Sequence, residues 1–333
     1  MTTTITLSNG VKMPNFGLGT WQSNEGEVAA ALRVALENGY RLIDTAAAYQ
    51  NEKEIGAVLQ EFFKAGKLKR EDIFITTKVR EPTNWLIRFL FFSFFWNSNR
   101  EEDVEPSIRQ SLKQLQLDYV DLYLVHMPAG LTRDMTKVDN SATLEDVWRG
   151  MEKIYDKKLA RAIGVSNANA EQLERVQKSA RIPIHDNQVE CHLLFNQEAL
   201  LKVQKRLNIS MTAYAPIGSP GRKDVDFQTG LGFFFKGKHS SPFENEVVKK
   251  LAQKYSKTPA QILLRHLVQR GICVIPKSTN EKRLKENADI FNFSLSDDEM
   301  HQLNNVPQEP RVFTQDFLVG ANEDPFKDER KKV

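Results

Sequence analysis

Short runs of β-branched and apolar residues alternate with amphipathic stretches from residue 16 almost to the end of this 333-residue chain. The apolar runs predict strands near Phe16–Gly19, Arg41–Asp44, Ile73–Lys78, Val120–His126, Ala162–Val165, Asp186–Glu190, Ser210–Tyr214 and Ile272–Pro276. Between them, three- and four-residue apolar spacing predicts helices such as Val28–Asn38, Val104–Leu115, Leu144–Asp156, Ala170–Ser179, Glu198–Leu207 and Glu246–Tyr255. Punctuation agrees, with Asn38-Gly39 closing one helix and Ser256-Lys-Thr-Pro259 separating two others. Strands rich in apolar residues and alternating with helices indicate an α/β fold, a parallel sheet covered by helices. Eight such units are what a closed (β/α)8 TIM barrel needs. An open doubly wound sheet is the structural alternative, but no G-x-G-x-x-G follows an early strand. Ahead of the first unit, Ile5–Lys12 reads as a β-hairpin on an Asn9-Gly10 turn, placed to plug the bottom of the barrel. No linker divides the chain, so residues 1–333 are expected to form one domain.

Composition narrows the partners. The apolar set makes up 41% and charged residues 27%, the balance of a soluble globular protein. With 46 basic against 43 acidic side chains, a net charge of +3 gives no electrostatic footprint for nucleic acid or an anionic membrane. The first residues, Met1-Thr-Thr-Thr-Ile-Thr6, have neither the basic nor the apolar region of a secretory signal, so a cytoplasmic location is expected. The sequons at Asn208 and Asn292 are then chance matches. Cys191 and Cys273 have no metal-like spacing and make neither a disulfide scaffold nor a zinc cluster, and no metal is expected.

Barrels carry their chemistry at the C-terminal strand ends. There this chain places Asp44, Lys78, His126, Ser166 with Asn167, Gln188 with Glu190, Tyr214 and Lys277. Each alone fits a structural ion pair, a helix cap or a core histidine. Together they form a constellation. A phenol with a pKa of about 10 is a poor proton donor or acceptor near neutrality unless a neighbouring ammonium favours its phenolate. Tyr49 beside Lys78, with Lys78 paired to Asp44, would be a tuned general acid–base. His126 would hydrogen-bond a substrate carbonyl oxygen and stabilise the alkoxide forming there. No nucleophile with an obvious base is present, which disfavours covalent hydrolysis and fits hydride reduction of a carbonyl beside a nicotinamide.

The segment Ile275-Pro-Lys-Ser-Thr-Asn-Glu-Lys-Arg-Leu-Lys-Glu-Asn287 follows the last strand and opens a helix. A helix N-terminus offers free N–H groups and positive potential, and this barrel position is a recurrent phosphate site. Lys277, Ser278, Thr279 and Arg283 add cationic and hydroxyl donors, and Arg283 can also stack on a planar ring. That composition suits a 2′-phosphate, hence NADPH/NADP+ rather than the unphosphorylated cofactor, although it would also serve as an ordinary solvated helix start.

These residues carry a family resemblance. Phe16-Gly-Leu-Gly-Thr-Trp21, Asp44-Thr-Ala-x-x-Tyr49-x-Asn51-Glu52, Gly164-Val-Ser-Asn167, Asn187-Gln-Val-Glu190 and Ile275-Pro-Lys-Ser278 together resemble the aldo-keto reductases over nearly the whole chain. The resemblance implies Tyr49 as proton donor, with Asp44, Lys78 and His126 completing a tetrad. It implies that Ser166, Asn167 and Gln188 bind the nicotinamide carboxamide, that Tyr214 stacks on that ring, and that Gly19, Thr20 and Asp44 line the cofactor. Lys277, Ser278, Thr279, Arg283, Glu286 and Asn287 match the adenosine-phosphate segment, and Tyr214-Ala-Pro-Ile-Gly-Ser-Pro220 begins the loop over the pyrophosphate, with Ser219 as a contact there. Trp21, Tyr49, His126 and Met127 would contact substrate, and residues 306–333 match a C-terminal substrate loop. The resemblance also implies a monomer acting on a small-molecule carbonyl substrate.

Two departures stand out. Met127 replaces the aromatic residue often found after the histidine, which should soften the pocket wall. Residues 80–95, with the aromatic run Phe91-Phe-Ser-Phe-Phe95, interrupt a passage that in the family runs almost directly from the lysine into the Trp96-Asn-Ser-Asn99 turn. The run is too short to span a bilayer and contains Arg88. Its codons would be pyrimidine-rich, like the tract before a splice acceptor, so the insertion reads as retained intronic sequence; if genuine, it is an interfacial or partner-binding helix or a lid beside Lys78. The leading function is NADPH-dependent reduction of aldehydes or ketones. The alternatives are a catalytically impaired NADPH-binding barrel acting as a sensor and, last, a glycosidase pairing Asp44 with Glu190.

Overall fold

The structure, a computed structural model, describes residues 3–23, 26–79, 100–132, 137–221 and 239–330. The insertion at 80–95, the turn after it, most of the loop beyond Ser219 and the last three residues lie outside the described residues. The N-terminal hairpin pairs β1 (Thr4–Thr6) with β2 (Lys12–Pro14). The predicted strands then form as β3 (Leu18–Gly19), β4 (Leu42–Asp44), β5 (Phe74–Lys78) and β6 (Val120–Val125). A small hairpin of β7 (Gly130–Leu131) and β8 (Val138–Asp139) intervenes before β9 (Ala160–Ser166), β10 (Asp186–Glu190), β11 (Ser210–Tyr214) and β12 (Cys273–Val274). The covering helices are α1 (Glu27–Glu37), α2 (Glu52–Lys64), α3 (Glu101–Leu115), α4 (Leu144–Asp156), α5 (Ala170–Ser179), α6 (Glu198–Arg206), α7 (Glu246–Tyr255), α8 (Pro259–Gln269), α9 (Glu281–Ala288) and α10 (Asp297–Asn304).

Eight strands form one parallel sheet in the order β12-β11-β10-β9-β6-β5-β4-β3. Its two ends meet. Phe16 bridges Val274 and Gly19 bridges Lys277 in parallel, and the Gly17 N–H donates to the Val274 carbonyl at 2.9 Å. The (β/α)8 barrel is therefore closed, which leaves no unpaired sheet edge.

Alternation along each strand explains the two-sided apolar pattern. Ile43, Ile75, Tyr123, Ile163, Val189 and Val274 point outward into the layer shared with the helices. Leu42, Phe74, Leu122, Leu124, Ala162 and Cys273 point inward and pack with Leu7 and Met13 of the hairpin, which plugs the bottom. Further along the same strands the inward positions turn polar: Asp44, Lys78, Ser166 and Gln188 are all buried at the opposite mouth. The seam between β3 and β12 leaves no room for side chains, since a Cβ on Gly19 would stand 2.6 Å from the Ile275 carbonyl oxygen. We expect Gly19→Ala to destabilise the fold by about 1–3 kcal/mol, as overpacking does, read as a lower denaturation midpoint in urea.

Candidate active site

The mouth of the barrel is organised around one buried cation. Lys78 ends β5 and is enclosed. Its Nζ donates to Asp44 Oδ1 at 2.7 Å, to the Thr45 carbonyl at 2.9 Å and to the Tyr49 hydroxyl oxygen at 3.3 Å, which uses all three ammonium protons. The second oxygen of Asp44 accepts from Gln188 Nε2 at 2.6 Å. Burial pushes Asp44 up and Lys78 down, and their mutual contact opposes both shifts.

Tyr49 sits on the short helical turn Ala47–Tyr49 that follows β4. Asn51 pins this turn from below: its Oδ1 accepts from the Thr45 hydroxyl at 2.8 Å and its Nδ2 donates to the Thr20 carbonyl at 2.9 Å. Glu52, at the start of α2, accepts from the Thr77 hydroxyl at 2.7 Å and adds negative potential at Lys78. Thr20 in turn donates both its N–H and its hydroxyl to the Asp44 carbonyl. His126 is buried edge-on to Tyr49, ring centres 5.8 Å apart at 74°. Burial, reinforced by the Lys78 charge, holds its pKa well below the ordinary value, so the ring is a neutral imidazole.

One expectation is corrected. The ammonium does not lower the phenol: burial, and then the Asp44 charge, hold Tyr49 well above its ordinary value. Desolvation outweighs a cation already committed to a carboxylate. Tyr49 is held as the neutral phenol.

The other predicted mouth residues bond to one another. Ser166 donates to the Gln188 carbonyl at 2.8 Å. Asn167, in the left-handed backbone region that asparagine tolerates, accepts from the Tyr214 hydroxyl at 2.8 Å. Its Nδ2 donates to the His126 carbonyl and to the sulfur of Met127. Met127 is buried and packs in a cluster with Leu318, Ala321 and Phe326 of the C-terminal segment. Trp21 meets Phe313 at 5.8 Å and Phe313 meets Tyr214 at 5.4 Å, both near edge-to-face.

The basic segment adjoins the tetrad through the seam, because Gly19 pairs with Asp44 on one side and bridges Lys277 on the other. Asn280 caps α9 by accepting the Arg283 N–H at 3.0 Å, and Ser278 braces that cap by accepting the Asn280 N–H at 3.1 Å. Thr279 and Arg283 are exposed, Glu286 is half-buried near Lys282, and Asn287 is buried. Partial desolvation lowers the Lys277 ammonium, Glu27 opposes this and Arg283 adds to it. Ser219 is half-buried in the left-handed region at the last described turn of its loop. Among the described residues no group of three or more His, Cys, Asp or Glu side chains is placed to hold a metal ion.

Glu190 has a function the strand pattern conceals. Fully buried, it accepts the N–H groups of Val312 at 2.7 Å and Phe313 at 2.9 Å, with His192 at 3.2 Å and Arg311 at 3.6 Å. It ties the C-terminal segment across the mouth and is not free to serve as one of a pair of hydrolytic carboxylates. Burial would raise its carboxyl, yet the hydrogen bonds and charges of His192, Arg311 and Phe313 win and lower it. A carboxyl lowered on folding contributes stability above its unfolded value and loses it as pH falls through the folded one. Acid below the ordinary glutamate pKa of about 4 should therefore release the tail, and Glu190→Gln should release it already at neutral pH. Limited proteolysis of the C-terminal segment reads both, with acid-active pepsin for the pH effect and trypsin at Lys327 and Arg330 for Glu190→Gln.

Comparison with known proteins agrees with this geometry. Residues 13–307 match the model of the Aldo/keto reductase family. The chain is 39% identical over 322 residues to aldo-keto reductase family 1 member A1-A of Danio rerio, covering 93% of this chain and 91% of that one. It superposes on the aldose reductase of Schistosoma japonicum with a TM-score of 0.81 at 37% identity, covering 98% and 99% of the two chains. On a Bombyx mori aldo-keto reductase solved in complex with NADP the TM-score is 0.83 at 33% identity, again covering 98% and 99%.

Proposed function

Because the chain belongs to the aldo/keto reductase family, we propose that it reduces aldehydes or ketones to alcohols with NADPH, Tyr49 supplying the proton. The observation that carries this reading is the Tyr49 hydroxyl oxygen lying 3.3 Å from a Lys78 ammonium that is itself locked to Asp44.

The donor set fits the cofactor. Lys277 and Arg283 offer two cations, Ser278 and Thr279 offer hydroxyls, and the capped start of α9 offers N–H groups, a combination suited to the 2′-phosphate of NADP(H). Gly19, without a side chain at the seam, keeps the passage from this segment to Asp44 open. Ser166, Asn167 and Gln188 would hold the carboxamide and Tyr214 the ring face, with Thr20, Ser219, Glu286 and Asn287 along the remainder. Bound reduced nicotinamide supplies a hydride to the carbonyl carbon. The neutral His126 donates a hydrogen bond to the carbonyl oxygen, where negative charge develops. Tyr49 then gives that oxygen its phenolic proton, and Lys78 stabilises the phenolate left behind. Trp21, Phe313 and Met127 would bound the substrate, a small-molecule carbonyl compound, in a cytoplasmic monomer. No helix among the described residues is long and apolar enough to cross a membrane.

The complete tetrad gives no support to a noncatalytic sensor. Tyr49→Phe should retain NADPH binding, followed by fluorescence quenching, while turnover of an aldehyde and ketone panel falls roughly 100- to 10,000-fold. Unchanged turnover would refute the assignment. Arg283→Leu should weaken NADPH binding about 10- to 100-fold, as loss of a charge-assisted contact does, and leave NADH binding unaltered.

A further inference from the structure

One inward strand position does not match the layer it occupies. β10 presents Asp186, Gln188 and Glu190 in turn toward the interior. Gln188 bonds Asp44 and Glu190 holds the tail, but Asp186 lies deeper and is wholly buried. Its Oδ1 accepts from the Thr212 hydroxyl at 3.1 Å, and its Oδ2 has no hydrogen-bond partner among the described residues. A carboxylate with one neutral donor and an orphaned oxygen is a poor state for a charge cut off from water; a carboxylic acid is a good one.

The acid adjoins the tetrad, one inward position below Gln188, which itself donates to Asp44. Its charge acts on Lys78, and the charges of Asp44 and Lys78 act on it. The groups facing it are Asp44 from β4, Lys78 from β5, the Thr212 hydroxyl from β11 and the Cys273 thiol from β12, which burial keeps neutral. At this depth the inward residues of β6 and β9 are Leu122, Leu124, Ala162 and Gly164, none of them titratable. From these contacts we propose that Asp186 is a positioning residue of the tetrad: a buried acid whose charge state sets how firmly the Lys78 ammonium keeps its proton, and so keeps Tyr49 supplied with its cation. Burial pushes Asp186 up to about 8, with the Asp44 charge adding to the rise and Thr212 and Lys78 opposing it. The acid thus gains its charge on the alkaline side of neutrality, where that charge favours the ammonium form of Lys78.

The catalytic consequence rests on the reductase reading; the coupling itself does not. The apoprotein should show an infrared carboxylic-acid band at neutral pH that is missing from Asp186→Asn. NMR of carbon-labelled lysine, with Lys78 assigned by its loss in the charge-conserving Lys78→Arg, should place the Lys78 midpoint roughly one unit lower in Asp186→Asn. The alkaline limb of kcat for carbonyl reduction should move down with it, while the amide oxygen introduced by Asp186→Asn still accepts the Thr212 hydrogen bond. No acid band in the parent, or a Lys78 midpoint unmoved by the substitution, overturns the inference. If the variant does not fold, the parent decides: loss of the acid band and a step in the Lys78 resonance must share one inflection, and separate inflections overturn it. A parent that reduces no carbonyl compound sinks the proposed function alone, since the infrared and lysine titrations need no turnover.

Discussion

The site depends on a lysine ammonium held inside a protein. A charge withdrawn from water costs several kcal/mol unless geometry restores what hydration gave it. Here each Lys78 proton has an acceptor, and one of these is the carboxylate of Asp44. Asp44 in turn has its other oxygen satisfied by Gln188. Such a pair tolerates loss of neither member, because the survivor would be a buried unpaired charge. The surrounding architecture can be understood as the means of keeping that pair dry and fixed: the closed seam, the hairpin plug below and the Asn51 brace on the Tyr49 turn.

Strand β10 shows how one short element serves several purposes. Its inward side chains bond, in order, the Thr212 hydroxyl, the Asp44 carboxylate and the main chain of the C-terminal segment. The last contact brings Phe313 between Trp21 and Tyr214, so the aromatic wall of the mouth is assembled from the two ends of the chain and a strand between them. Arg311 strengthens the clasp by pairing with Glu329 and lying 3.8 Å from the Phe326 ring centre. The tail is therefore a packed part of the site.

The same seam that closes the barrel joins the buried tetrad to the basic segment that opens α9. Gly19 pairs with Asp44 on one side and bridges Lys277 on the other, so the proposed acid–base group and the proposed phosphate donors occupy adjoining strand ends. A side chain at that position would push against the Ile275 carbonyl. This small residue answers a packing requirement of the fold and of the site together.

Much of this was legible in the residues alone. Eight apolar runs, their alternation with helices and the polar group at nearly every strand end are local patterns, set by periodicity and by where each strand stops, and they led to the barrel and to Asp44, Tyr49, Lys78 and His126. Other features come from contacts between distant segments. Glu190 sits at a strand end like the rest, yet only the path of the tail, more than a hundred residues later, gives its carboxylate two N–H groups to hold. Phe313 and Asp186 carry no motif; their roles arise from which rings and charges the fold sets beside them. The protonation of Tyr49 likewise ran against the local expectation, because its value depends on how much water the whole fold removes. The order of apolar and polar residues determined which groups reach the mouth; tertiary structure decided their charge states and their partners, since desolvation and long-range hydrogen bonding belong to no single stretch of chain.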